Sequence, residues 1–542
     1  MRRLPGEERV KGRPRTAGPS RAHLASGYRV RVTTSSARRA VACAVTLVLA
    51  LVLAACSVPP KMQTPAADVE TAQGTGEAGP EGFEDFYGQS LAWEDCSGGW
   101  ECATARAPLS WQDPGAGEIE LSVKRLPASG ERIGSLLTNP GGPGASGVEF
   151  VGSLAPMVGE RVKDAYDLVG FDPRGVGSST AVVCLDDQAK DESLSRDFGT
   201  DEAGLEDLVE DRRAWADACA QNTGDLLGHV DTQSAARDMD MLRAVLGDEK
   251  LAYLGYSYGT QLGATYAGLF PEKVGRLVLD GAIDTSLDAD AIAEQQAVGF
   301  ENALRAYVED CQAGAECPLR GDADDGMRQI RALLDAAQDN PLPTTSDRRV
   351  TQTLAFYGVA LALYNDVNWP LLTQALAEAF DDGTGTMLLF LADYYNDRNA
   401  DGTFSSNSSE AFRAVNCLDA RQDDDPDAMQ AQLERLEEAA PTMGSFFAFG
   451  GLTCEGWAYP VVAQEFDLHA EGAEPIVVIG TTNDPATPYV WAEGLAATLD
   501  SGVLVSWEGE GHTAYGRAND CLADAVDAYL VDGTVPDDGL RC

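Results

Sequence analysis

Leu251-Ala252-Tyr253-Leu254-Gly255-Tyr256-Ser257-Tyr258-Gly259-Thr260 is the stretch on which the fold turns. Its first four residues are apolar and suit a buried strand. The residues that follow it, Gln261 to Phe270, have the alanine, leucine and tyrosine content of a helix. Between the two stands Gly-Tyr-Ser-Tyr-Gly, a G-x-S-x-G pattern. A strand that turns sharply into a helix through this pattern holds its serine in a cramped backbone conformation, and glycine two residues to either side lets strand and helix come close. The Ser257 hydroxyl is then exposed above the sheet. Five residues of this kind also occur by chance, so the rest of the chain has to supply a base, an orienting acid and an oxyanion hole.

At 542 residues the chain can bury a large core, either as one domain with an insertion or as two domains. It carries 40 Lys and Arg against 86 Asp and Glu. The first 55 residues hold 11 of the basic and 2 of the acidic residues, which leaves the remainder with 29 against 84 and a formal charge near −55. So acidic a surface repels nucleic acid and anionic membrane, and it suits a cationic ligand, a saline exterior or simple solubility.

Arg38 and Arg39 precede an apolar run from Ala40 to Ala55 that is broken only by Cys43 and Thr46 and ends in Leu53-Ala54-Ala55-Cys56. The run is short for a bilayer span and suits a signal sequence. Its ending resembles a bacterial lipobox, so residues 1–55 are expected to be a lipoprotein signal peptide, with Cys56 lipidated as the first mature residue. An ordinary cleaved secretion signal is the alternative. Residues 56–85, rich in Pro, Gly, Thr, Ala and Glu, read as a flexible tether. Both readings place the protein outside the cytoplasm, extracellular or at the cell surface. The lipid on the outer face of the cytoplasmic membrane is then its expected membrane contact.

Ten cysteines remain: Cys96, Cys102, Cys184, Cys219, Cys311, Cys317, Cys417, Cys454, Cys521 and Cys542. An even count in an exported chain argues for disulfides. Nearest-neighbour pairing gives 96–102, 184–219, 311–317, 417–454 and 521–542, one connectivity among many. No Cys-x-x-Cys occurs and histidine is scarce, so no metal site is expected.

Outward from the serine, the segment from Ile119 to Leu126 alternates like a half-exposed strand, and that from Gly134 to Thr138 reads as a buried one. The second runs into Asn139-Pro140-Gly141-Gly142-Pro143-Gly144-Ala145-Ser146-Gly147. Glycine lets such a loop turn its N–H groups inward, and its place after a strand and before the elbow suits an oxyanion loop. Gly142 N–H and Tyr258 N–H are the expected donors. The strand from Tyr166 to Phe171 leads to Asp172-Pro173-Arg174, where an ion pair inside the loop is expected. A helix from Thr232 to Leu246 and a strand from Val274 to Gly281 follow. This alternation predicts an α/β fold with a mostly parallel central sheet, whose first part spans residues 86–289.

From 290 to 470 the chain turns helical, with aromatic residues at Tyr357, Tyr364, Trp369, Phe390, Tyr394 and Tyr395. It reads as a large helical cap inserted over the serine. The core resumes over 471–542, with a strand from Pro475 to Gly480, then Thr481-Thr482-Asn483-Asp484-Pro485, then a strand from Val503 to Trp507 and Gly511-His512-Thr513. Beyond Cys56 there are three histidines, His229, His469 and His512. His512 alone follows a strand at the end of the sheet domain. With Ser257 and Asp484 it completes the chain order Ser, Asp, His in which α/β-hydrolase triads occur.

These motifs together resemble the secreted tripeptidyl-aminopeptidase-like serine exopeptidases of actinobacteria. That family lies within the α/β-hydrolase group that also holds prolyl aminopeptidases. The resemblance covers about residues 86–542. It rests on Asn139-Pro140-Gly141-Gly142-Pro143-Gly144, Asp172-Pro173-Arg174-Gly175-Val176-Gly177-Ser178-Ser179, Gly255-Tyr256-Ser257-Tyr258-Gly259-Thr260, Leu279-Asp280-Gly281-Ala282, Asp484-Pro485-Ala486-Thr487-Pro488, Gly511-His512-Thr513 and the closing segment from Cys521 to Cys542. It implies release of short peptides or single residues from free N-termini, with neither metal nor organic cofactor, and a monomer is expected. A protonated α-amine calls for a carboxylate in the cap or at its rim, and Asp419 and Glu455, beside the two ends of the expected 417–454 bridge, are candidates. A carboxylesterase or lipase acting on small esters would use the same triad. A third reading, an inactive hydrolase-like binding protein, predicts a missing triad member, and none is missing.

Overall fold

Ten strands form one sheet in the computed structural model, which describes residues 74–421, 424–462 and 466–542. The expected signal peptide, Cys56 and most of the tether lie outside these residues. The strands are β1 (Glu94–Asp95), β2 (Glu101–Pro108), β3 (Glu118–Leu126), β4 (Gly134–Asn139), β5 (Tyr166–Phe171), β6 (Leu251–Tyr256), β7 (Val274–Asp280), β10 (Ile476–Asn483), β11 (Gly502–Glu510) and β12 (Leu540–Arg541). A separate hairpin pairs β8 (Leu342–Pro343) with β9 (Arg349–Val350). The sheet order is β1-β2-β3-β5-β4-β6-β7-β10-β11-β12. The first four strands pair antiparallel, and from β5 onward every pairing is parallel. This is the α/β-hydrolase fold.

Every residue of β4, β5 and β6 is buried, as expected of parallel strands covered by helices on both faces. One helical layer includes Thr232–Val245 and Tyr258–Leu269. The other includes Gly147–Leu154 and Asp520–Asp532. The insertion carries the long helices Ala289–Ala313, Ala323–Asp339, Gln352–Leu363, Thr386–Tyr395 and Ser408–Asp419. The first four pack around a hydrophobic core of their own that includes Phe300, Leu334, Val359 and Leu388. All five nearest-neighbour disulfides form.

Three features differ from expectation. β2 escapes the sequence because its Glu-Cys-Ala-Thr-Ala-Arg-Ala-Pro run is poor in β-branched residues, and only its eight-residue pairing with β3 makes it a strand. The fold also begins before Phe86. Thr75 N–H donates to Ala244 O at 2.9 Å, and Glu77 bridges Arg243 at 2.9 Å and Lys273 at 2.7 Å. Residues 74–85 therefore belong to the folded body, because two cations offset the cost of ordering a polar segment.

The third correction concerns Asp172 and Arg174, which do not pair with each other. Arg174 lies fully buried against Asp238 at 2.6 Å and also donates to the carbonyls of Pro108, Leu109 and His229. Asp172 accepts from Ser146 Oγ at 2.6 Å, from Val148 N–H at 3.1 Å and from Ser178 N–H at 2.7 Å. It thereby ties the end of the glycine loop to the turn after β5.

Candidate active site

The turn between β6 and Tyr258–Leu269 holds Ser257 at φ 56° and ψ −123°, a left-handed conformation that costs a non-glycine residue about 1–3 kcal/mol. The neighbouring glycines make the turn possible. A Cβ on Gly255 would stand 2.4 Å from Gly259 O, and one on Gly259 would stand 2.9 Å from Asn139 O. Ser257 N–H donates to Asp280 O at 2.9 Å, and Thr260 Oγ1 donates to Ser257 O at 2.6 Å, so the strained residue is fixed from both sides.

The glycine loop closes over the elbow. A Cβ on Gly141 would lie 2.9 Å from Ser257 Cβ and 3.0 Å from Tyr258 N, so no side chain fits there. Gly141 N–H is occupied by Asn139 Oδ1 at 2.9 Å. Among the described residues no acceptor takes the N–H of Gly142, which is exposed, or that of Tyr258 at the helix start. These are the two donors expected from the sequence. The helix N-terminus adds a partial positive charge at the same place.

β7 ends at Asp280, and Gly281 follows it. A Cβ on Gly281 would come within 3.2 Å of His512 Cε1, which sets the imidazole directly beyond the residue whose carbonyl holds Ser257. His512 Nδ1 lies 2.9 Å from both carboxylate oxygens of Asp484. Asp484 has no exposed side-chain surface. Its Oδ1 accepts from the N–H of Ala486 and Thr487 at 2.9 Å, and its Oδ2 from Thr487 Oγ1 at 3.0 Å and Thr513 N–H at 3.2 Å. Five donors including the imidazole converge on one buried carboxylate and hold it aimed at His512.

Sequence reasoning missed three supports of this arrangement. Thr487, three residues after Asp484, is legible as the partner of an Asx turn. Asp280 accepts from Ala514 N–H at 2.9 Å and Tyr515 N–H at 2.6 Å, pinning the loop that carries His512. Burial pushes the Asp280 carboxyl up to about 7, against the pull of those N–H groups. Tyr364 O accepts the His512 N–H at 2.8 Å, and the Tyr364 ring meets the imidazole edge-on at 5.4 Å. That contact from the cap has no signal in the sequence.

The two carboxylates considered for an amine are placed differently. Asp419 accepts from Thr232 N–H at 2.8 Å and from Thr232 Oγ1 at 2.5 Å, and the same Oγ1 lies 2.5 Å from Tyr258 Oη. It is thus tied to the residue after Ser257, and burial pushes its carboxyl up to about 7. Glu455 is held by Arg213 at 2.7 Å on the outer helix Glu202–Thr223 and is no longer a free carboxylate. His229 and His469 do not approach Asp484. His469 Nδ1 bonds Thr498 O at 2.9 Å, and His229 sits after a short helix ahead of Asp231.

Residues 440–542 match the family model of TAP-like proteins. Over 481 residues the chain is 36% identical to serine protease Hip1 of Mycobacterium tuberculosis, covering 85% of this chain and 92% of Hip1. The chain belongs to the α/β-hydrolase family of serine hydrolases. Carboxylesterase B of Mycobacterium tuberculosis is 37% identical to the hydrolase over 452 residues, 81% of this chain and 86% of the relative. Tripeptidyl aminopeptidase of Streptomyces lividans is 30% identical over 475 residues, 83% and 86% of the two chains. Relatives named for peptide and for ester hydrolysis thus stand side by side.

Proposed function

We propose that the hydrolase is a serine exopeptidase that releases short peptides, tripeptides above all, or single residues from free N-termini through an acyl-enzyme on Ser257. His512 takes the Ser257 proton as Oγ attacks the scissile carbonyl, and Asp484 holds the imidazole tautomer and stabilises its cation. The N–H groups of Gly142 and Tyr258 receive the charge that develops on the carbonyl oxygen. The imidazolium then protonates the leaving amine. Water, activated by the same imidazole, attacks the acyl carbon, and the proton returns to Ser257 Oγ as the peptide acid leaves.

The observation that supports the acyl-enzyme chemistry is the two-oxygen contact of Asp484 with His512 Nδ1 at 2.9 Å, beside a serine held at φ 56°. Support for a free-amine substrate comes from the relative named tripeptidyl aminopeptidase, 30% identical over 475 residues; Asp419 already accepts from Thr232 at both oxygens. The second reading, a carboxylesterase of small esters, draws support from the aromatic row of Tyr364, Tyr395 and Tyr357 that leads away from His512. Purified protein assayed on chromogenic mono-, di- and tripeptide amides, each with free and blocked N-termini, and on simple esters separates the two. The exopeptidase reading expects turnover of free-amine peptides and loss of turnover on blocking. Turnover of esters alone establishes the other. We place the enzyme at the cell surface through lipid on Cys56. Release of a Cys56→Ser variant into the medium tests that placement.

A further inference from the structure

Arg413 on the helix Ser408–Asp419 is 8% exposed, and its Nη1 is buried with no hydrogen-bond partner among the described residues. A buried guanidinium ordinarily sits against a carboxylate. The two carboxylates near enough to act on it, Asp211 and Glu410, are already occupied, by Arg212 at 2.8 Å and by Lys190 at 2.7 Å. What Arg413 does have is the ring of Trp215, 4.1 Å below its guanidinium carbon. Burial and the Arg212 charge push its pKa down, to about 9, which leaves it cationic at neutral pH. In a chain of net charge −46, two arginines that repel each other with one pair of valences unfilled call for an anion.

The place is connected to the serine from two sides. A Cβ on Gly144 of the oxyanion loop would lie 2.9 Å from Phe412 N, and Arg413 is the next residue. On the cap side both arginines lie close enough to act electrostatically on Tyr357. Its ring stacks on Tyr395 at 4.9 Å, which meets Tyr364 at 6.2 Å, which meets His512 at 5.4 Å. Arg212 keeps 21% of its side chain exposed, whereas Arg413 is buried.

We infer that Arg413 and Arg212 form a subsite for a carboxylate carried by the substrate away from the bond that is cut. A planar guanidinium over an aromatic face, with Nη1 free, presents the donors that a carboxylate takes. The carboxylate is either the C-terminus of a short peptide or an Asp or Glu side chain within it. The peptide identity rests on the exopeptidase reading above, whereas binding of a carboxylate does not.

Two experiments separate these claims. In the first, the intact folded enzyme turns over a p-nitrophenyl ester while peptides compete. These come as C-terminal acids and amides, and with Glu or Gln at one internal position. Wild type is expected to bind the anionic member of one pair about tenfold more tightly, the effect of one charge-assisted hydrogen bond. Which pair responds identifies the source of the carboxylate. In R413Q that ratio falls toward one, R413K recovers part of it, and R212Q reduces it. In the second, cleavage of the same peptides is followed directly. Failure to cleave any peptide, with the inhibition ratio intact, overturns the exopeptidase reading and leaves the subsite standing. A wild-type ratio near one in both pairs assigns Arg413 to a purely structural contact with Trp215 and overturns the proposal. So does a preference that survives in R413Q. If R413Q does not fold, the wild-type ratio and its change in R212Q decide.

Discussion

Gly141→Ala tests the oxyanion loop more sharply than a change at either donor, because it adds one methyl group and removes no hydrogen-bonding atom. Gly141 has φ 97°, and the new Cβ would stand 2.5 Å from Tyr256 O, 2.9 Å from Ser257 Cβ and 3.0 Å from Tyr258 N. Two of these three atoms are backbone, so the loop has to withdraw, and Gly142 N–H withdraws with it. Backbone strain alone costs about 1–2 kcal/mol of stability. Loss of one oxyanion donor costs about 3–4 kcal/mol in the transition state, a fall in kcat of about 10²–10³. The assay is steady-state hydrolysis of a chromogenic tripeptide amide, or of an ester, with urea unfolding in parallel. KM should change little beside kcat. Gly152→Ala is the control. Its Cβ would meet nothing nearer than Lys124 Nζ at 3.8 Å, and in a helix it should stabilise by about 0.5–1 kcal/mol. A G141A enzyme that folds and keeps kcat within threefold of wild type refutes the assignment of this loop.

Other substitutions probe the remaining supports. Asp484→Asn keeps the shape but reverses one end of a five-donor cluster, and kcat should fall about 10⁴-fold with the fold retained, as read by activity and circular dichroism. Arg174→Gln leaves Asp238 buried without its cation and should lower unfolding free energy by about 3–5 kcal/mol in urea titration. Asp280 and Asp419 have carboxyls raised to about 7 in the folded state, above their unfolded value, so each retains its proton where the unfolded chain has lost it. Their contribution to stability is complete below about pH 4 and is lost as pH rises through about 7, so the urea midpoint should fall between pH 5 and pH 8. Asp419→Asn should flatten that fall, and an unchanged slope removes Asp419 as a cause.

What was legible in the chain follows from how local the physics is. The elbow could be read because Gly255 is required by a contact only four residues away, with Gly259 O, whereas Gly259 is pressed by Asn139 of the neighbouring strand. The parallel strands could be read because β4, β5 and β6 each hold an apolar run, Leu136-Leu137, Leu168-Val169 and Leu251 to Leu254. The disulfides could be read as neighbours because four of the five join cysteines 6 to 35 residues apart, and the fifth spans only 37. Distant partners were not legible. Arg174 finds Asp238 rather than Asp172 because β5 and Thr232–Val245 meet only in the folded molecule. Tyr364, 148 residues before His512, reaches it because the cap folds back over the sheet. Glu455 was singled out for its place beside a cysteine, which says nothing of Arg213, 242 residues away, that pairs with it.

The central claim is that Ser257 forms the acyl-enzyme. Reaction of the folded protein with a fluorophosphonate, followed by intact-mass and peptide mass spectrometry, tests it without any choice of substrate. One adduct per chain is expected, on Ser257, formed rapidly in wild type, absent in Ser257→Ala and slowed about 10³-fold or more in His512→Ala. A stoichiometric adduct on another residue, or turnover that persists in Ser257→Ala, would contradict it.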